Sequence, residues 1–228
     1  MTKFNITTAV IITVSYFVLS QVLSLSILLA ELIHLENPIL YRWCINLIPL
    51  FSTLILFFIV ILHFKNTKFH VIETRLSLSL PLLIVSILCG VFIVYIQTPL
   101  NYLYQYLPGV NHFDGFNKEV LDFKIYFLPK FISSIILIPI IEEFIFRKLI
   151  FGNLILSNNI LISIIYSSLL FASIHLPDVS QFYTTILGGS IAAILFYKSS
   201  NQIIYPIVFH VTWNLIVYLS RFILFFNF

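Results

Sequence analysis

The stretch Pro139–Gly152, PIIEEFIFRKLIFG, decides how this chain is read. It sets Glu142 and Glu143 side by side, with Arg147 and Lys148 one turn later, inside a run of Ile, Phe and Leu. On a soluble surface such a cluster would be ordinary. The 228 residues are 60% hydrophobic and only 9% charged, with a mean hydropathy of +1.06, whereas soluble domains carry about 25% charged residues. The composition is that of a polytopic membrane protein, so the four charges lie in a membrane helix. There each costs about 2.5–3.5 kcal/mol unless it is paired or lines a cavity.

Outward from this stretch, a span needs roughly 17–25 apolar residues. Such runs fall near 8–33, 43–63, 76–96, 128–151, 160–175, 182–198 and 203–224. The expected fold is all-α: a transmembrane helical bundle of seven to eight membrane helices. No internal repeat is visible, and residues 1–228 read as a single integral membrane domain. The first run is too long for a signal-peptide core and is read as a retained span. Residues 64–75 form a basic connector. Residues 97–127 are rich in Tyr and Phe and are expected to lie along the membrane interface. Gly188, Gly189, Ser190, Ala192 and Ala193 give the sixth run a small face suited to close helix packing.

Twelve Lys and Arg against nine Asp and Glu give a net charge of +3, with no basic run that would suit nucleic acid. Cys44 and Cys89 stand in separate apolar runs and suggest neither a disulfide framework nor a thiolate metal site. With the N-terminus inside, seven of the basic residues lie inward (Lys3, Lys65, Lys68, Arg75, Arg147, Lys148, Lys198) and five outward. That bias is too small to fix sidedness.

Three runs carry polar groups out of keeping with their surroundings: Glu142, Glu143 and Arg147; His175, which ends LLFASIH; and His210 with Asn214 in VFHVTWN. Glu143 and Arg147 are four apart, acid first, the favourable order for an in-helix ion pair. A structural pair needs one acid, so Glu142 is left over. His175 alone would pass for an interfacial histidine at a helix end, and His210 with Asn214 for a polar link between helices. Trp213 reads as packing.

Comparison of depths joins the three. Measured from the turn Ser157–Asn159, Glu142 and His175 both lie about 25 Å along their helices. From the turn near Asn201, on the same face by topology, His210 lies about 14 Å and Asn214 about 20 Å along theirs. The polar groups can converge. A carboxylate and an imidazole on one water make a general base. A second imidazole and an amide, one turn apart, can donate to an oxyanion. No Gly-x-Ser-x-Gly elbow and no His-Glu-x-x-His helix is present. Zinc is an open alternative, with Glu142, His175 and His210 as ligands.

The three segments resemble the motifs of the CAAX protease and bacteriocin-processing (CPBP, Abi) family of intramembrane endopeptidases. In this chain they are Glu142-Glu143-Phe-Ile-Phe-Arg147, Phe171-Ala-Ser-Ile-His175 and His210-Val-Thr-Trp-Asn214. The resemblance covers core helices at about 128–224. It implies a hydrolase in which Glu142 and His175 activate water and His210 and Asn214 stabilise the tetrahedral intermediate. Glu143 and Arg147 would support the site, Arg147 also meeting a substrate carboxylate. No cofactor is implied. Membrane lipids and a peptide or protein substrate, lipid-anchored or membrane-embedded, would be the partners, in a multi-pass protein of a bacterial cell membrane. Lys148 departs from the family pattern, which often has glycine there. An immunity or scaffold protein that keeps the motifs for structure is the alternative reading. A proton-coupled transporter is disfavoured by the missing repeat.

Overall fold

The structure, a computed structural model, describes residues 6–18, several positions between 51 and 62, 78–105, 131–176 and 179–226. The second expected span is described only at those scattered, helical positions. The connector 64–75, residues 106–127 of the interfacial segment and most of the first span lie outside the described residues. All the described regular structure is helical, with no strand among the described residues.

By packing, the chain divides into two compact units. One comprises Val14–Lys68 and Phe113–Ile141; its described part includes a π-helical segment, Ile132–Leu137, with Ser133 and Ile135 buried. Pro139 follows two residues later and has no N–H to give to the carbonyl four residues back. Just ahead of it the ladder widens, the Ile138 N–H bonding the Ser133 carbonyl.

The other unit comprises Met1–Thr13, Phe69–His112 and Glu142–Phe228 and holds every sequence-derived site residue. Its long helices are α1 (Leu80–Gln105), α2 (Ile160–Ser173), α3 (Val179–Lys198) and α4 (Ile204–Phe226). Helix α2 packs on α3, and α1 packs on α4. Between them lies a core of Ile93, Ala192, Leu195, Tyr205, Phe209 and Trp213. The Ser79 N–H, just before α1, donates to the Tyr205 hydroxyl at 2.7 Å. The polar turns that served as depth markers close by backbone hydrogen bonds and a cap. Asn159 caps α2, its side chain accepting from the Leu161 N–H at 2.7 Å. Ser200 and Asn201 take left-handed backbone angles that let the Asn201 N–H close α3 on the Phe196 carbonyl.

Three sequence expectations shift. Helix α1 runs on to Gln105, so residues 97–105 of the segment expected at the interface are helical. Pro99 within it costs one backbone bond, while the Thr98 hydroxyl turns back onto the Val94 carbonyl. Helix α2 ends at Ser173, which leaves His175 on the turn beyond it. The fourth span is not uniformly α-helical: an α-helical turn, Ile138–Glu143, passes into a π-helical segment, Phe144–Phe151. Among the described residues only Leu80–Pro99 is long and apolar enough to cross a membrane by itself; Ile6–Val18, Ile160–Ser173 and Ile204–Ser220 are shorter apolar helices.

Close packing is carried by glycine. A Cβ on Gly90 would stand 2.8 Å from both the Phe209 carbonyl oxygen and the Thr212 Cβ, neither of them the tip of a flexible chain. Gly90→Ala is therefore expected to push α1 off α4 and destabilise the protein by about 1–3 kcal/mol. A thermal denaturation series in detergent checks this; an unchanged midpoint would contradict the packing. Gly189 lies against Ser168 of α2, as the small-faced run suggested.

Candidate active site

The site is built on the π-helical segment. Six of its eight residues are buried, among them Phe146, Arg147 and Phe151. A π-turn has one more residue per hydrogen-bonded loop than an α-turn, and such turns are frequent at functional sites. The Gly152 N–H bonds the Arg147 carbonyl, which fixes the backbone beneath the guanidinium. No proline accounts for this second widening.

Glu142, Glu143, Arg147 and His210 form one buried cluster, exposed by 6%, 1%, 0% and 4%. The Glu143 carboxylate is its centre. One oxygen lies 3.0 Å from Arg147 Nε and the other 2.9 Å from His210 Nδ1. The in-helix pair read from the sequence is thus present, and Glu143 also grips the histidine. The Arg147 contact is a close ion pair rather than an aligned hydrogen bond, and Nη1 and Nη2 lack hydrogen-bond partners among the described residues. Part of the guanidinium charge is met instead by the Phe171 ring, whose centroid lies 5.0 Å from Cζ.

A carboxylate can only accept, so His210 Nδ1 carries the hydrogen and donates to Glu143. That leaves Nε2 directed toward Glu142, 3.8 Å from Oε2. The gap is too long for a direct hydrogen bond. Two carboxylates, one guanidinium and one imidazole thus share a buried site, where charge is tolerated only when compensated.

Phe171 organises the remaining groups. Its ring meets Phe146 at 5.2 Å, His175 at 5.0 Å and His210 at 5.7 Å, each edge to face. Both imidazoles therefore rest on one ring. His175, half-buried, points Nδ1 at the Phe171 carbonyl at 3.0 Å. A carbonyl likewise only accepts, so this nitrogen also carries the hydrogen, and both rings use Nδ1 for the anchoring bond. Asn214 is half-buried one turn beyond His210 on α4.

Zinc coordination by Glu142, His175 and His210 is not matched by this arrangement. Among the described residues no three His, Cys, Asp or Glu side chains are gathered to hold a metal ion.

Sequence reasoning missed Gln97 and undervalued Trp213. The indole N–H donates to Gln97 Oε1 at 2.9 Å, and the ring lies 5.8 Å from that of His210. Gln97 stood at the boundary of an apolar run, where an amide carries no signal; only the contact reveals it.

Residues 124–216 match the protein family described as type II CAAX prenyl endopeptidase Rce1-like. No curated protein and no solved structure is matched. The stretch contains all three motifs, so the resemblance read from Glu142–Arg147, Phe171–His175 and His210–Asn214 holds over it. The family is one of integral membrane proteases.

Proposed function

We propose that the chain is an intramembrane endopeptidase that hydrolyses a peptide bond of a membrane-associated protein or peptide. Its scaffold is one multi-pass membrane domain of seven to eight helices, with the catalytic core at about residues 128–224. The observation that carries this reading is the buried Glu142–His210–Glu143 arrangement, in which a carboxylate and an oriented imidazole face one gap 3.8 Å wide. A network meant only for stability has no need of the second acid.

Water is activated by Glu142 with His175. Glu142 takes a proton as the water oxygen bonds to the scissile carbonyl carbon. The oxyanion that forms is met by His210 Nε2–H and the Asn214 amide. His210 donates there in its protonated form, its ring held at Nδ1 by the Glu143 carboxylate. The carbon–nitrogen bond then breaks, and the proton held by Glu142 passes to the leaving amine. The products are a carboxylate and an amine, with no covalent intermediate. Arg147, with Nη1 and Nη2 lacking hydrogen-bond partners among the described residues, suits a substrate carboxylate.

The test is cleavage of membrane-anchored peptides by the purified protein in lipid vesicles, starting with a prenylated peptide of the CAAX type. Wild type is expected to release product. Asn214→Ala should lose about 10²–10³-fold in turnover, the usual effect of removing an oxyanion donor, and His175→Ala a similar factor. Undiminished turnover in the Asn214, His175 double variant would leave the site without a function.

A further inference from the structure

We infer that Gln97 is a positioning residue for His210, acting through the Trp213 indole. Gln97 lies on α1, outside the stretch that matches the peptidase family, so nothing in the motifs assigns it. An indole N–H can only donate, and in an apolar bundle a donor without an acceptor costs several kcal/mol. Gln97 Oε1 supplies that acceptor at 2.9 Å, from near the end of the apolar span Leu80–Pro99. An amide is a poor choice for that position unless its oxygen is needed.

The opposite edge of the indole is held by the absence of a side chain. A Cβ on Gly188 of α3 would fall 2.4 Å from Trp213 Cζ3. The ring is thus wedged between a hydrogen bond on one helix and a glycine on another. It has one place to be, and its face leans on His210 at 35°.

His210 is then fixed on three sides: Glu143 at Nδ1, the Phe171 ring at 90°, and the Trp213 ring. Of these the two aromatic rings carry no charge, and Trp213 is the one held in place by Gln97 and Gly188. The titratable and charged groups facing this ring are Glu142 and Glu143, with Arg147 behind Glu143 and His175 across Phe171. Helix α1 contributes none among its described residues. Gln97 therefore changes the orientation of His210 without changing its charge environment. A mere link between α1 and α4 would do neither.

The kinetic part of the test rests on the endopeptidase reading; the spectroscopic part does not. The sequence has two tryptophans, so a Trp43→Phe background leaves Trp213 as the sole indole reporter. Protonated imidazole quenches an adjacent indole, so Trp213 emission against pH follows His210. Gln97→Met keeps the length and loses the acceptor. It is expected to reduce the pH-dependent quenching at least twofold and to lower kcat about tenfold with KM unchanged. Gln97→Glu, which keeps an acceptor oxygen, should restore both, and Gly188→Ala, which displaces the ring from the other side, should reproduce the Gln97→Met losses. Should Gln97→Met not fold, the Gly188→Ala and Gln97→Glu titrations decide. A Gln97→Met or Gly188→Ala protein with wild-type quenching overturns the proposal. If wild type cleaves no peptide while the quenching shifts as described, the endopeptidase reading fails and the positioning of His210 stands.

Discussion

Glu142→Gln is expected to abolish peptide cleavage, with a loss of about 10²–10⁴-fold in kcat, while the protein stays folded in the membrane. The asymmetry follows from how the two acids are used. Glu143 is committed on both oxygens, one to Arg147 and one to His210. Glu142 faces Nε2 of His210 at 3.8 Å, too far for a direct hydrogen bond. Glutamine at 142 keeps the volume and leaves the Glu143–Arg147 pair in place, so stability should change little. What disappears is the carboxylate proposed to take a proton from water. Measured side by side, turnover should collapse and the thermal midpoint should hold. Wild-type turnover in this variant would remove Glu142 from the chemistry.

Much of this site was visible in the residues alone, for a physical reason. Charge in an apolar helix is costly, so Glu142, Glu143 and Arg147 stood out against their surroundings. The spacing of four that joins Glu143 to Arg147 is a local property, and the pair is where that spacing put it. The depth estimate, which needed only helix rise and two polar turns, set His210 roughly 11 Å short of Glu142, yet their side chains lie 3.8 Å apart. The grip of Glu143 on His210 is different. It depends on the rotation of one helix about its own axis relative to another, which the wide π-turn alters and which no spacing encodes. For the same reason Phe171 looked like an ordinary apolar motif residue and proved to be the ring on which both imidazoles rest. His175 showed the limit of counting, since the helix expected to contain it stops two residues short. Lys148 has a partial account in the structure, its Nζ lying 5.3 Å from the Phe144 ring centroid.

The second large effect belongs to Glu143. Glu143→Gln is expected to destabilise the protein by about 3–5 kcal/mol, the range for removing one partner of a buried ion pair. Arg147 has no exposure to water and two terminal nitrogens without hydrogen-bond partners among the described residues, so its charge leans on the acid that would be lost. The pair need not be worth that much in itself: if both charges are removed together, the desolvation cost goes with them. Glu143→Gln combined with Arg147→Met should therefore regain most of the lost stability, a strong coupling in a double-mutant cycle. Activity should behave differently. In both variants His210 Nδ1 loses its carboxylate, the imidazolium is no longer supported, and cleavage should remain low even where folding is restored. Chemical denaturation in detergent and turnover in vesicles, measured on the same preparations, separate the two roles. Recovery of both together would make Glu143 a purely structural residue, and a Glu143→Gln protein as stable as wild type would mean that Arg147 finds its counter-charge elsewhere.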